Sequence, residues 1–166
     1  MSRNPAAERE FLARIEQNQG ILYRVAALYA RGVEERRDLL QEILFQLWRS
    51  RDRFKGEAKL GTWIYRIALN TAISGLRQAR RRPLAVPLDE LPQAESRPGP
   101  ATERDPRKDA LEAAIRELPA VERALVLLHL EDRSYDEIAE ILGISANHVG
   151  VKLTRIRHKL RVRLGE

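Results

Sequence analysis

At 166 residues and 43% hydrophobic content, the chain is long enough for one ordinary domain or two small ones with real cores. It has no cysteine and three scattered histidines, which excludes disulfides, thiolate zinc sites, iron–sulfur clusters and a cysteine nucleophile and leaves little for any other metal site. The net charge of +6 is unevenly spread: residues 1–82 hold 17 Lys/Arg against 9 Asp/Glu, residues 83–106 hold 2 against 5, and residues 107–166 hold 11 against 10, with six bases facing one acid from Ser145 onward. Two basic surfaces separated by an acidic stretch suit a polyanion gripped at two places, most simply nucleic acid; solvated helix faces are the alternative reading of the same charges. No uncharged run approaches the roughly 18 residues of a spanning helix, and MSRNPAAERE lacks the apolar core of a signal peptide. A cytoplasmic protein without membrane insertion is expected.

In chain order, Asn4 can cap a first helix with Pro5 at its first position, and Phe11, Ile15, Leu22, Val25 and Leu28 follow at helical spacing, with a bend expected at Asn18-Gln19-Gly20. After Gly32, VEERRDLLQEILFQLWRS places Leu39, Leu40, Ile43, Leu44, Leu47 and Trp48 on an apolar face and Asp38, Gln41, Glu42 and Arg49 on the other side of a second helix. RDRFKGEAKLG breaks the pattern, and Thr62 can cap a third helix, TWIYRIALNTAISGLRQARRR. Six of the eight prolines (Pro83, Pro87, Pro92, Pro98, Pro100, Pro106) then fall within residues 83–106, which read as an extended, mobile linker. Strict apolar alternation is missing throughout. The expectation is an all-α protein of two small helical domains, 1–82 and 107–166, joined by that linker.

The second domain opens near Asp109 with Leu111, Ile115 and Leu118, and Pro119 restarts the helix as a first-turn proline. SYDEIAEILG carries Ser134 and Glu137 as a capping box, Ile138, Ala139, Ile141 and Leu142 inward, and Gly143 as a stop. Ser145 can cap ANHVGVKLTRIRHKLRVRL, where Val149, Leu153, Ile156 and Leu160 are apolar and Lys152, Arg155, Arg157, Lys159, Arg161 and Arg163 are basic. A helix-turn-helix with its last helix laid in a major groove fits this pattern; a generic antiparallel helix pair is the plainer alternative. No glycine-rich phosphate loop, metal-spaced histidine pair or nucleophilic serine setting occurs, so neither an enzyme nor a cofactor is expected. His129, in an apolar helix, reads as a packed or partly exposed side chain.

DLLQEILFQLW, FKGEAKLGTWIYRIALNTA and SYDEIAEILGIS with VKLTRIRHKL, in this order around a proline-rich linker, resemble a bacterial RNA polymerase sigma factor of the extracytoplasmic-function (ECF) type. The resemblance covers nearly the whole chain. It implies transcription initiation at specific promoters with core RNA polymerase and promoter DNA as partners, an anti-sigma factor as a further candidate partner, and a role in a stress or signal response. Asp38, Gln41, Glu42 and Phe45 match the segment that docks on the clamp helices of the polymerase largest subunit. Phe54, Lys55, Trp63, Tyr65 and Asn70 match the part that melts the promoter and reads the −10 element, with Arg66, Arg77 and Arg80 available to the phosphates. Phe45 and Trp63 have core packing as their alternative role.

Ser74 and Gly75 depart from the family pattern and predict a looser middle of the third helix. Gly150 and Val151 stand where relatives often present a long basic or polar side chain to the −35 element, which leaves Ser145, Asn147, His148, Lys152, Thr154, Arg155 and Lys159 as the candidate −35 set. His148 is alternatively a plain surface residue. The competing function is a stand-alone helix-turn-helix regulator whose first domain senses or dimerises.

Overall fold

The computed structural model describes residues 4–81 and 105–166, which fold into eight α-helices and one short 3₁₀ turn and contain no strand among the described residues. The linker expected at 83–106 lies outside the described residues up to position 104. In the first lobe, α1 (Pro5–Gln17) starts as its sequence dictates: the Asn4 side chain accepts from the backbone N–H groups of Ala6 and Ala7, and Pro5 fills a first-turn position that needs no donor. The expected bend is a full break, because Asn18 closes α1 with its N–H on the Ile15 carbonyl and α2 (Gln19–Tyr29) begins at once.

Helix α3 (Gly32–Ser50), the 3₁₀ turn at Arg51–Arg53 and α4 (Leu60–Arg81) complete the lobe. Its core is Ile15, Leu22, Val25, Ile43, Leu47, Ile64, Ala68 and Leu69, contributed by all four helices. Thr62 does not cap α4. The Trp63 N–H bonds the Lys59 carbonyl at 3.1 Å, so the helix starts earlier and Thr62 is buried in its first turn. Half-buried Leu60 packs against the core and draws the extra residues into the helix. Ser74 and Gly75 do not loosen α4, which runs unbroken past both.

The second lobe opens three residues before Asp109. Asp105 accepts from the Arg107 N–H at 2.9 Å and Pro106, counted above with the linker, is the first residue of α5 (Pro106–Arg116). Pro119 occupies the cap position just ahead of α6 (Ala120–Leu130) rather than its first turn. The capping box of α7 (Tyr135–Leu142) is complete: the Glu137 N–H donates to Ser134 Oγ and the Ser134 N–H to Glu137 Oε2, both at 3.1 Å. Gly143 ends α7 with a left-handed φ of 70°, which favours glycine, and Ser145 Oγ accepts from the His148 N–H to start α8 (Ala146–Leu164). Ser134→Ala is expected to lower stability by about 1 kcal/mol, the usual value of such a cap; a chemical denaturation midpoint unchanged by that substitution would contradict the cap's contribution.

The two lobes pack on one another, α4 against α6 and α7. Tyr29 donates its hydroxyl to the Ala120 carbonyl at 2.5 Å, and the Arg123 guanidinium lies 5.2 Å from the Tyr29 ring centre. Burial pushes the Tyr29 phenol well above the ordinary tyrosine range, with Arg123 opposing, so it remains a neutral donor. Tyr65 donates to the Glu131 carboxylate, which Arg24 also engages, and Arg133 lies 5.1 Å from the Tyr65 ring centre. At the edge of the contact Lys59 meets Glu137 at 3.6 Å.

Candidate nucleic-acid and protein-docking interface

Asp38, Gln41, Glu42 and Phe45 recur at three- and four-residue steps along α3, so they form one stripe. All four are exposed, and Phe45 retains 54% of its surface with half-exposed Leu44 beside it. Phe45 is therefore not a core residue. Glu42 accepts from Gln46 at 2.9 Å, a surface bond within the same helix. A mixed stripe of carboxylates, an amide and an aromatic ring suits a protein partner better than a phosphate backbone.

On α4, Arg66, Asn70 and Arg77 are exposed along a second stripe. Trp63 falls on it as well, because seven residues are about two helical turns. The Trp63 ring is half-buried in an aromatic cluster, with Phe54 at 5.1 Å and Phe11 at 6.1 Å between ring centres. Packing and stacking are thus compatible roles for it: the cluster fixes the ring while part of it stays accessible. Lys55 is exposed in the preceding loop, and the side chain of Arg80 lies outside the described residues.

Tyr65 does not join this stripe. It is 0% exposed and faces the second lobe, because five residues place it about 140° around the helix from Asn70.

On α8, Asn147, His148, Thr154 and Arg155 are exposed and Lys152 is partly so. Two members of the expected −35 set also have partners within the protein. Ser145 Oγ accepts from the His148 N–H in the helix cap, and Lys159 Nζ reaches Glu122 of α6 at 2.8 and 3.0 Å, away from the stripe that Asn147 and Thr154 define. The surface also contains residues absent from that set. Tyr135, Gly150 and Val151 line an open depression with Asn147 and Thr154, and exposed His158 continues the stripe one turn on. The available signal was Gly150 itself, a glycine inside a helical pattern where it costs stability relative to alanine. Among the described residues no His/Asp/Glu group has the geometry to hold a metal ion, and no helix is long and apolar enough to cross a membrane.

The family described as Sigma-70 region 2 matches residues 14–82, and the one described as Sigma-70, region 4 matches residues 108–160. The ECF RNA polymerase sigma factor SigG of Mycobacterium tuberculosis is 30% identical over 96% of this chain and 50% of its own length, so the chain spans about half of that relative. SigM of the same organism is 29% identical over 87% of this chain and 71% of its own length. The ECF RNA polymerase sigma-E factor of Escherichia coli is 30% identical over 83% and 79% respectively. Among solved structures, the sigma factor RpoE of Bartonella quintana, in complex with the anti-sigma factor NepR, superposes with a TM-score of 0.75 at 22% identity, covering 95% of this chain and 98% of that one. CnrH, in complex with the cytosolic domain of CnrY, does so at 0.64 and 20% identity, covering 95% and 89%. With both lobes matched in order and a relative 30% identical over most of its length, the chain belongs to the sigma-70 family, in its ECF group.

Proposed function

We propose that this chain is a sigma factor that binds core RNA polymerase and directs it to specific promoters for transcription initiation, as part of a stress or signal response. The observation that carries this reading is that one chain holds both halves, a region 2 lobe and a region 4 lobe. A stand-alone regulator needs only the second. In this reading the α3 stripe docks on polymerase, the α4 stripe with Phe54, Lys55 and Trp63 opens and reads the −10 element, and α8 enters the major groove at the −35 element. In this reading the first domain is 1–82 and the second begins at Asp105, the cap of α5, two residues earlier than the 107–166 expected from sequence. The protein supplies recognition rather than catalysis, and acts in the cytoplasm. An anti-sigma protein is its proposed regulator, supported by the likeness to RpoE, itself solved with one.

The direct test is co-purification with tagged core polymerase followed by run-off transcription from genomic fragments. Promoter-specific transcripts that need both components are expected; operator binding by the chain alone, with no effect of core, would favour the regulator instead. Gln41→Ala with Glu42→Ala tests the docking stripe. Both residues are exposed, so stability should shift by no more than about 0.5 kcal/mol, while affinity for core falls about tenfold. Unchanged affinity in a folded double variant would remove these residues from the interface.

A further inference from the structure

Gly150 sits inside α8, where glycine is unfavourable relative to alanine. Its local role is steric. A Cβ at this position would come within 3.3 Å of Tyr135 Cε2, so the glycine lets the Tyr135 ring lie against the α8 backbone. The result is the open depression described above, with Ala146 and Asn147 at one end, Val151 and Thr154 at the other and the Tyr135 ring along its side. Thr154 donates its hydroxyl to the Gly150 carbonyl at 3.0 Å, which commits its proton within the helix. Val151 is 42% exposed. Neither Gly150 nor Val151 has a side chain able to hydrogen-bond. Gly150 and Val151 thus leave an apolar spot on the exposed stripe, with the Asn147 amide one turn away and Lys152 and Arg155 along one side.

We propose that this depression seats the C5-methyl group of a thymine in the duplex that α8 reads, while Asn147 reads the edge of a neighbouring base. The proposal rests on the −35 reading above and names what that site selects. In a major groove the thymine methyl is the apolar group of the base edges, and it suits contact with the Val151 side chain and the face of the Tyr135 ring, where a donor or acceptor would lose water. Lys152 and Arg155, both on one side of the stripe, are available to a phosphate of the same duplex. A protein knob seated in the same depression would have to bring carboxylates for those cations or leave them desolvated, which makes DNA the better fit.

The test uses the full chain assembled with core polymerase. Duplexes are enriched from a randomised pool, and each thymine of the enriched upstream element is replaced in turn by deoxyuridine, which removes the methyl and preserves pairing. One thymine should lose about fourfold in affinity with its methyl, as expected for burying a single such group. That penalty should fall toward onefold in Val151→Ala and in Gly150→Ala. The second substitution is helix-favouring, so its melting temperature should hold while its Cβ narrows the depression. Deoxyuridine tolerated at every position with sequence enrichment intact would overturn the thymine proposal and leave the −35 reading standing. An undiminished penalty in both variants would also overturn it, because the methyl would then be read elsewhere. If Val151→Ala weakened only core binding, the depression would be a protein-docking surface and the proposal wrong. Failure to enrich any upstream element would bring down the −35 reading together with it.

Discussion

Replacing Tyr65 by alanine is expected to cost about 3–5 kcal/mol of stability, the range for removing a buried aromatic ring. The side chain is 0% exposed and sits where α4 meets the second lobe, with its hydroxyl on Glu131 and the Arg133 guanidinium over its ring. Truncation therefore opens a cavity, strips Glu131 of one donor and removes a cation–π contact together. Tyr65→Phe separates these effects. It keeps the ring and Arg133 contact and loses the hydroxyl, while Arg24 still engages Glu131, so about 1 kcal/mol is expected. Urea denaturation of the two variants checks both values. A loss below about 1 kcal/mol for the alanine variant would mean that the lobes are not held together through this residue.

The same residue bears on how the lobes work. On the proposed reading the −10 and −35 elements are about 25 base pairs apart, roughly 85 Å at 3.4 Å per pair. A compact chain of this length has a radius of gyration of about 15 Å. On that reading the lobes would have to separate to reach both elements, and the Tyr65–Glu131 and Tyr29–Ala120 bonds are among those that hold them packed. Tyr65→Phe should weaken that packing without emptying the core, which distinguishes a structural tyrosine from one that touches bases.

Much of this architecture was legible because it is written in local chemistry. Asn4 with Pro5, Ser134 with Glu137, Gly143 and Ser145 each satisfy or release backbone groups within four residues, and each acts where its pattern predicts. The misplacements are also local. Thr62 is a good cap residue, but apolar Leu60 draws α4 back past it; Pro106 belongs to a helix because Asp105 supplies the cap that a linker proline would lack. What was not legible is the pairing of the lobes. Tyr29 finds Ala120 and Tyr65 finds Glu131 across 91 and 66 residues of sequence, and no helical period relates such partners. Lys159 is the same case on a smaller scale: its pairing with Glu122, 37 residues away, follows no helical period. Tyr65 differs, because counting turns from Asn70 already separates it from the stripe that contains Trp63.

That stripe carries the second large effect. Asn70→Ala should leave stability within about 0.5 kcal/mol of wild type, because Asn70 is exposed on α4. Promoter opening should nevertheless fall about 5- to 150-fold, the range for losing one well-placed amide contact to a base edge worth about 1–3 kcal/mol. The argument is one of geometry: Asn70 lies between Arg66 and Arg77, so cations on the same stripe can hold phosphates on both sides of the base it reads. On a template already open at the −10 region most of the loss should persist, since the contact is to an exposed base and not to the act of melting. Arg77→Ala supplies the contrast. It should weaken binding about equally across sequences and reduce the slope of log affinity against log salt by about one, as a phosphate contact does. Full activity of a folded Asn70→Ala protein on both templates, or a salt slope that falls for Asn70→Ala as it does for Arg77→Ala, would reduce Asn70 to one more polar residue on a solvated face.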